Sequence, residues 1–171
     1  MSTDVTPIHG GAVAAVVALL DSQRLLSLAV NRPDGWPQVT TVGYVNDGLN
    51  LYFTIGRDSQ KLANIKADPR VSVAVRSEMD HGAAVGLSMA GRATEVLDPA
   101  LIEGINRLVS TRYPDVRVYC PDDDAVAVIH MAPEIISPVA VMDGRSRPQT
   151  FSVGPAATVA ADIPGDVSRL F

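Results

Sequence analysis

The residue types best suited to binding an anion lie close together, between Thr54 and Lys61. An apolar strand is predicted to end at Thr54, and a polar loop containing Arg57 follows it. Ser59 is then predicted to begin a short helix that carries Lys61 in its first turn. Backbone N–H groups point outward at a helix N-terminus, and with hydroxyls and two cations nearby they suit a phosphate group.

Lys61 is an unfavourable residue for the first turn of a helix. The positive end of the helix dipole makes a cation there cost up to about 1 kcal/mol, and a bound anion would neutralise that charge. A purely structural alternative stays open on the residues alone. In that interpretation Ser59 or Asp58 only caps the helix, Asp58 also balances Lys61, and Arg57 is solvated.

Polar side chains on the second predicted strand form a weaker candidate. Gln38, Thr40 and Thr41 could present hydrogen-bonding groups to the edge of a ligand. The same residue types are also common in strands that bind nothing.

Metal and nucleophilic sites are not indicated. The three histidines (His9, His81 and His130) have no metal-ligand spacing, and Cys120 has neither a cysteine partner nor a nearby base. The acidic run Asp122–Asp124 supplies too few oxygen ligands at set spacing for calcium. We therefore expect no metal site.

Composition limits the class of protein. The 171 residues are 47% hydrophobic, enough for one domain with a substantial core. The net charge of -5 and the pI of about 5.0 argue against a nucleic-acid surface. A single cysteine excludes an internal disulfide and is consistent with a cytoplasmic location.

The apolar run Ala12–Leu20 is predicted to be a buried helix. It lacks the positive segment of a signal peptide, because Arg24 is the first basic residue. It is also too short to span a bilayer, which takes ~20 apolar residues. We expect no membrane association.

Periodicity and turn residues predict three helices and about seven strands. The predicted helices are Gly10–Asp21, Ser59–Ala67, and one that begins at Asp98-Pro99 and ends near Thr111. The predicted strands are Arg24–Asn31, Gln38–Val45, Leu49–Gly56, Arg70–Ser77, Ala84–Leu97, and two within 122–133 and 134–143.

Most of these strands are adjacent in sequence and joined by tight turns. That order favours a mainly β (α+β) fold, an antiparallel barrel of six or seven strands with flanking helices. Gly86 and Gly91 are candidate bulge points in the longest predicted strand. We expect one domain over 1–143 and a C-terminal arm or tail over 144–171, where Pro, Gly, Ser and Ala dominate.

An ordered set of short motifs between Leu25 and Val96 resembles the pyridoxamine 5'-phosphate oxidase-like, FMN-binding split-barrel family. The motifs are Asp34-Gly35-Trp36-Pro37, Phe53-Thr54, Ser59-Gln60-Lys61, Asp68-Pro69-Arg70-Val71 and Gly91-Arg92-Ala93. The resemblance implies a split barrel and a homodimer that holds flavin in clefts between its subunits.

The resemblance also implies where the cofactor would lie. The phosphate would lie near Ser59 and Lys61, with Arg57 as a helper, and Thr54 would lie near the ribityl chain. The isoalloxazine ring would follow the second strand and take hydrogen bonds mostly from its backbone. The implied cofactor-binding set is Gln38, Val39, Thr40, Thr41, Val42, Phe53, Thr54, Arg57, Ser59 and Lys61.

Three departures from the family pattern bear on activity. Gln38 and Gly43 stand where pyridoxamine phosphate oxidases usually carry an Arg and a substrate-binding Lys, and the C-terminal Arg-x-His motif is absent. We therefore expect an FMN-binding oxidoreductase that acts on a small molecule other than a vitamin B6 phosphate. No side chain stands out as a catalytic acid or base.

Three alternatives remain open from the sequence. One is a deazaflavin-dependent reductase, which should need more cations at the mouth of the cleft. Another is a non-enzymatic flavin- or haem-binding carrier, stress or sensor protein, in which His81 or His130 would be the axial ligand of a haem. The third is a protein of this fold with an empty cleft.

Overall fold

The computed structural model describes residues 5–78, 84–114, 125–142 and 145–154. The helices are α1 (Gly10–Ser22), α2 (Gln60–Ala67) and α3 (Pro99–Arg112). The strands are β1 (Thr6–Pro7), β2 (Leu25–Asn31), β3 (Pro37–Asp47), β4 (Asn50–Gly56), β5 (Arg70–Glu78), β6 (Ala84–Glu95), β7 (Val126–Met142), β8 (Arg145–Pro148) and β9 (Phe151–Ser152).

Six strands close into an antiparallel barrel. They pair in the order β7-β4-β3-β2-β5-β6, and β6 returns to pair with β7. Residues such as Leu28, Phe53 and Ile129 fill the interior and are almost wholly buried. The predicted mainly β barrel with flanking helices is confirmed.

Local sequence signals explain most element boundaries. Asp98 caps α3, its carboxylate accepting from the Ala100 N–H at 2.9 Å, as the Asp-Pro pair predicts. Gly35 and Gly48 adopt positive φ angles in the turns on either side of β3, a conformation that glycine tolerates best.

None of the helices in the described ranges has the length and apolar character that a membrane span requires.

The last predicted strand pair is instead one strand, and here the prediction was wrong. β7 runs for 17 residues and continues through the predicted boundary between Pro133 and Glu134. The register against β6 shifts between Ala90 and Gly91, so that Gly91 lies opposite Pro133 and Glu134 has no residue opposite it in β6. A bulge accommodates a proline because the missing N–H is not needed in the ladder there.

Gly86 and Gly91 of β6 were both predicted as candidate bulge points, and only one of them lies at the register shift. Gly91 lies at the register shift, as predicted, whereas Gly86 pairs with Val139 in unbroken register, so the prediction of a bulge there was wrong.

The sheet continues beyond residue 144 in the described ranges. β8 pairs with β7, and β9 pairs with both β7 and β1. The proposed division at 143/144 stays a prediction, and residues 155–171 of the expected tail lie outside the described residues.

Candidate functional site

The N-terminal half of β3 has one open edge. β3 pairs with β4 only over Tyr44–Asp47, opposite Asn50–Phe53. From Pro37 to Gly43 it pairs with β2 alone, and no described strand lies on its other side. The barrel is therefore split between the first half of β3 and the second half of β4.

Backbone hydrogen-bonding groups point out of this open edge. The Tyr44 N–H donates to the Arg24 carbonyl at 3.1 Å, and the Arg32 N–H donates to the Trp36 carbonyl at 3.3 Å. The even-numbered residues of β3 therefore direct their backbone N–H and C=O groups toward β2. Antiparallel ladders alternate, so the odd-numbered residues Val39, Thr41 and Gly43 direct their N–H and C=O groups outward. Within the predicted stretch Gln38–Val42, only the backbones of Val39 and Thr41 are thus placed to meet a ligand edge.

Ser59 caps α2, so its structural role is established. Its hydroxyl accepts from the Leu62 N–H at 3.2 Å and donates to the Gly56 carbonyl at 2.6 Å. Because its only proton is engaged, Ser59 could accept a further hydrogen bond but could not donate one to a phosphate without releasing Gly56. Its predicted phosphate contact stays a prediction.

Lys61 is a half-buried cation in the first turn of α2. Within the described ranges no carboxylate pairs with it, so the balancing role suggested for Asp58 is not seen there. Burial lowers the pKa of the Lys61 amine because desolvation penalises the charged form. A half-buried cation beside the N–H groups of a helix start is well placed for an anion.

Arg57 forms an ion pair with Glu95. Its guanidinium lies 2.6 Å from one oxygen of Glu95, and the Lys66 ammonium lies 2.9 Å from the other. Glu95 is at the end of β6, and its side chain is only 11% exposed. Glu95 therefore neutralises part of the Arg57 charge, while the guanidinium keeps N–H donors that this pair does not use.

Glu95 is expected to make stability depend on pH. Its hydrogen bond from Lys66, helped by Arg57, holds the pKa of the Glu95 carboxyl below its ordinary value. The contribution is therefore present above about pH 4.5, the ordinary value, and is lost as the pH falls through the lower folded value. Glu95→Gln should lower the free energy of unfolding by at most about 1 kcal/mol at pH 7, because both cations are largely exposed.

Urea unfolding at pH 7 and at pH 3 measures this effect, and the variant should approach wild type at the lower pH. Glu103→Gln is the matched control, because its ion pair with Arg107 lies on the exposed face of α3. Equal losses in the two variants at pH 7 would contradict the special position of Glu95.

The even-numbered side chains of β3 face inward. Gln38 accepts from the Asn64 amide at 3.3 Å, and Asn64 in turn accepts from Gln60 at 2.9 Å. Asn64 is 1% exposed, so this chain of amides fixes α2 against the start of the open edge. Val42 packs against the core.

The buried hydroxyl of Thr40 has no hydrogen-bond partner among the described residues. Thr40→Val keeps the shape and removes this group, so we expect the free energy of unfolding to stay unchanged or rise by up to about 1 kcal/mol. FMN affinity should stay within about twofold of wild type, because the hydroxyl does not reach the open edge. Thermal unfolding and a flavin titration measure both quantities, with Thr41→Val as control. A clear loss of affinity confined to Thr40→Val would show that the hydroxyl contacts the cofactor.

The remaining predicted residues are dispersed. Val39 is 62% exposed and Thr41 is exposed, both on the outer face of the sheet. The Phe53 ring is buried inside the barrel. Thr54, the next residue of β4, lies on the outer side of the sheet, near α3. The ten predicted residues thus divide between the two faces of β3, the inside and outside of β4, and the loop and first turn of α2. Their predicted contacts with a cofactor stay predictions.

His130 does not belong to a metal cluster in the described part of the chain. Its Nε2 lies 2.9 Å from Asn50 Oδ1, and its ring stacks on Tyr52 with 5.0 Å between centroids. Burial lowers the pKa of its imidazole. The other two candidate groups, His81 and Cys120, lie outside the described residues.

Glu95 and Asn64 are the residues of this region that sequence reasoning missed. Glu95 forms ion pairs with Arg57 and Lys66, which precede it by 38 and 29 positions in the sequence. No local spacing rule links residues so far apart. Asn64 carried one usable signal, a polar residue on the apolar face of a short helix.

A six-stranded barrel opened along one strand edge, with a helix start beside it, defines the class of flavin-binding split barrels. The family model for pyridoxamine 5'-phosphate oxidase matches residues 12–140, and the chain belongs to that family, whose members typically bind flavin. No curated protein is similar enough in sequence to match the chain.

Solved structures share the fold at low sequence identity. A FAD-binding protein from Mesorhizobium loti is 20% identical, with a TM-score of 0.64 over 77% of this chain and 95% of that one. General Stress Protein 26 from Bacillus anthracis is 20% identical, with a TM-score of 0.63 over 82% and 98%. HutZ, the heme storage protein from Vibrio cholerae, is 16% identical, with a TM-score of 0.58 over 70% and 87%.

Proposed function

We propose that this protein is an FMN-binding oxidoreductase that acts on a small molecule other than a vitamin B6 phosphate. The observation that carries the proposal is the open edge of β3 beside a helix whose first-turn cation, Lys61, pairs with no carboxylate of the described residues. Asn64 bonds to Gln38, so the helix that carries Lys61 is fixed against the start of that edge.

The chain's own residues would bind and orient the cofactor. The outward N–H and C=O groups of Val39, Thr41 and Gly43 match the alternating donors and acceptors of an isoalloxazine edge. The Lys61 ammonium and the free N–H groups of the first turn of α2 would hold the phosphate. When bound, the flavin would supply hydride-transfer chemistry, and the protein would supply placement and electrostatics.

A homodimer is part of the proposal. The outer face of the barrel exposes large apolar side chains on β2, the following turn and β3, with Leu25 at 52%, Trp36 at 74% and Val39 at 62%. Small residues line a shallow depression on the same side, including Ser27 and Ala74. A second copy packed there would cover this apolar surface. A monomer in light scattering at micromolar concentration would contradict the dimer.

The same contacts favour FMN over the two alternative cofactors. A deazaflavin with an acidic tail needs several cations, but Arg57 and Lys66 are engaged by Glu95. Haem needs an axial ligand, and the described candidate, His130, already bonds to Asn50. FMN has one phosphate to neutralise, and it fits best with Lys61, the cation of α2 that no described carboxylate engages.

Absorbance titrations of the purified protein test the function directly. The expected result is saturable binding of one FMN per chain, followed by reoxidation of the reduced flavin by a small-molecule acceptor. Preference for deazaflavin, or a haem spectrum with hemin, would replace FMN by that cofactor. Binding of none of the three would leave the barrel without its proposed function.

A cytoplasmic location stays a prediction.

A further inference from the structure

A cavity of about 280 Å³ lies between α3 and the outer side of the barrel. Its floor is formed by the outward residues of β3, β4 and β7, among them Val45, Tyr52 and Val128. Its roof is one face of α3 together with Tyr113, the residue that follows the helix, and the lining residues Ile105, Val109 and Tyr113 recur at every fourth position.

The walls of the cavity are held in place by specific contacts. Arg112, at the end of α3, donates to Asn46 Oδ1 at 2.6 Å and pairs with Asp21 at 3.2 Å. The Tyr113 hydroxyl donates to the Gln23 carbonyl at 3.2 Å, and Tyr52 is stacked on His130. These contacts make the cavity a preformed feature of the fold, as small-molecule sites usually are.

The lining combines aromatic and aliphatic surface with few polar groups. Tyr52 and Tyr113 provide aromatic walls, and Thr54 and Asn106 are the neutral polar residues. The exposed Arg24 also lines the cavity, and no carboxylate pairs with it within the described ranges. Aromatic walls favour an aromatic ligand, and an unpaired guanidinium favours a carboxylate.

We propose that this cavity binds a small aromatic carboxylate of one or two rings. The rings would lie between the tyrosines and the aliphatic face of α3, and the carboxylate would meet Arg24, with Asn106 as a second donor. The volume is just below the range of about 300–1,000 Å³ that holds drug-sized ligands, which limits the ligand to this size.

Gly43 connects this cavity to the open edge of β3, because it lines the cavity and belongs to that edge. A ligand held here would therefore lie beside the proposed flavin site. Its use as the acceptor site rests on the proposed function, whereas the binding site itself stands on the cavity.

The test is a titration of the full chain with 2-naphthoate and with its neutral analogue 2-naphthamide, without added flavin. We expect saturable binding of one 2-naphthoate per chain. Val109→Phe, which fills the cavity, should weaken both ligands at least about tenfold. Leu101→Phe on the exposed side of α3 is the matched control and should change neither.

The charge is tested separately. Arg24→Gln should weaken 2-naphthoate by about tenfold and leave 2-naphthamide within about twofold. Arg107→Gln, which removes an exposed arginine paired with Glu103, should affect neither ligand. Equal losses for both ligands in Arg24→Gln would overturn the carboxylate assignment.

Amide NMR shifts of the wild-type protein locate the ligand even if a variant fails to fold. We expect shifts at Gly43 and Val109, which line the cavity. The amides of Ser27 and Ala74, which line the shallow depression proposed for the dimer contact, should not shift. Shifts confined to that depression, or no saturable binding, would overturn the proposal. A parallel FMN titration separates the two hypotheses, because naphthoate binding without FMN binding would retain the cavity site and contradict only the proposed function.

Discussion

Lys61→Ala is expected to weaken FMN binding by about 10- to 100-fold, the equivalent of one lost charged hydrogen bond of roughly 1.5–3 kcal/mol. Lys61 is half-buried and unpaired in the described part of the chain, so its charge is not already compensated by a carboxylate. Removing it should also relieve the unfavourable position of a cation at a helix start, so the free energy of unfolding should stay the same or rise slightly. Flavin fluorescence quenching and urea unfolding measure the two effects.

Lys66→Ala is the matched control for this prediction. Lys66 lies at the other end of α2 and is already paired with Glu95 at 2.9 Å. Its removal should cost at most about 1 kcal/mol of stability and change FMN affinity by less than about threefold. If both variants lose affinity equally, the effect is one of net charge and the anion site at the start of α2 is wrong.

Gly91→Ala is expected to have the largest effect on stability. A Cβ atom at this position would lie 2.1 Å from the Ala132 carbonyl oxygen and 2.8 Å from the Pro133 Cα. Both are backbone atoms of the bulged strand β7, so no side chain can rotate away to relieve the clash. We expect a loss of at least about 3 kcal/mol, the upper part of the range for overpacking, and possible failure to accumulate folded protein.

Gly86→Ala provides the comparison, because it changes the same strand without a clash. Its added Cβ would lie 3.9 Å from the nearest backbone oxygen, an ordinary contact. Chemical unfolding at a fixed protein concentration should place this variant within about 1 kcal/mol of wild type. Similar stabilities for the two variants would show that the close approach of β6 and β7 is relaxed at little cost.

Local patterns predicted most of the elements because each has a local physical cause. Ser59 and Asp98 cap the helices that they were predicted to begin, and Gly35 and Gly48 occupy the turns that need positive φ. Alternating apolar residues predicted the barrel strands, since one face of each strand must be buried. The position of the register shift, at Gly91 of β6, was also visible in sequence as a glycine inside a strand pattern.

The long strand β7 was not predictable in the same way. Pro133 normally ends a strand, and only its position opposite Gly91 in the neighbouring strand makes it tolerable. That pairing joins residues more than forty positions apart, beyond the reach of any local rule.

The sequence by itself determined the family, the barrel and the presence of a cation in the first turn of α2. Only the tertiary structure decided which groups are available for binding. In it β6 pairs with β7, and the first half of β3 pairs with β2 but with no second described strand. Arg57 and Lys66 neutralise Glu95, while no described carboxylate pairs with Lys61. The reason is physical: a side chain's type is local information, but its burial and its partners depend on contacts between residues that are distant in the chain.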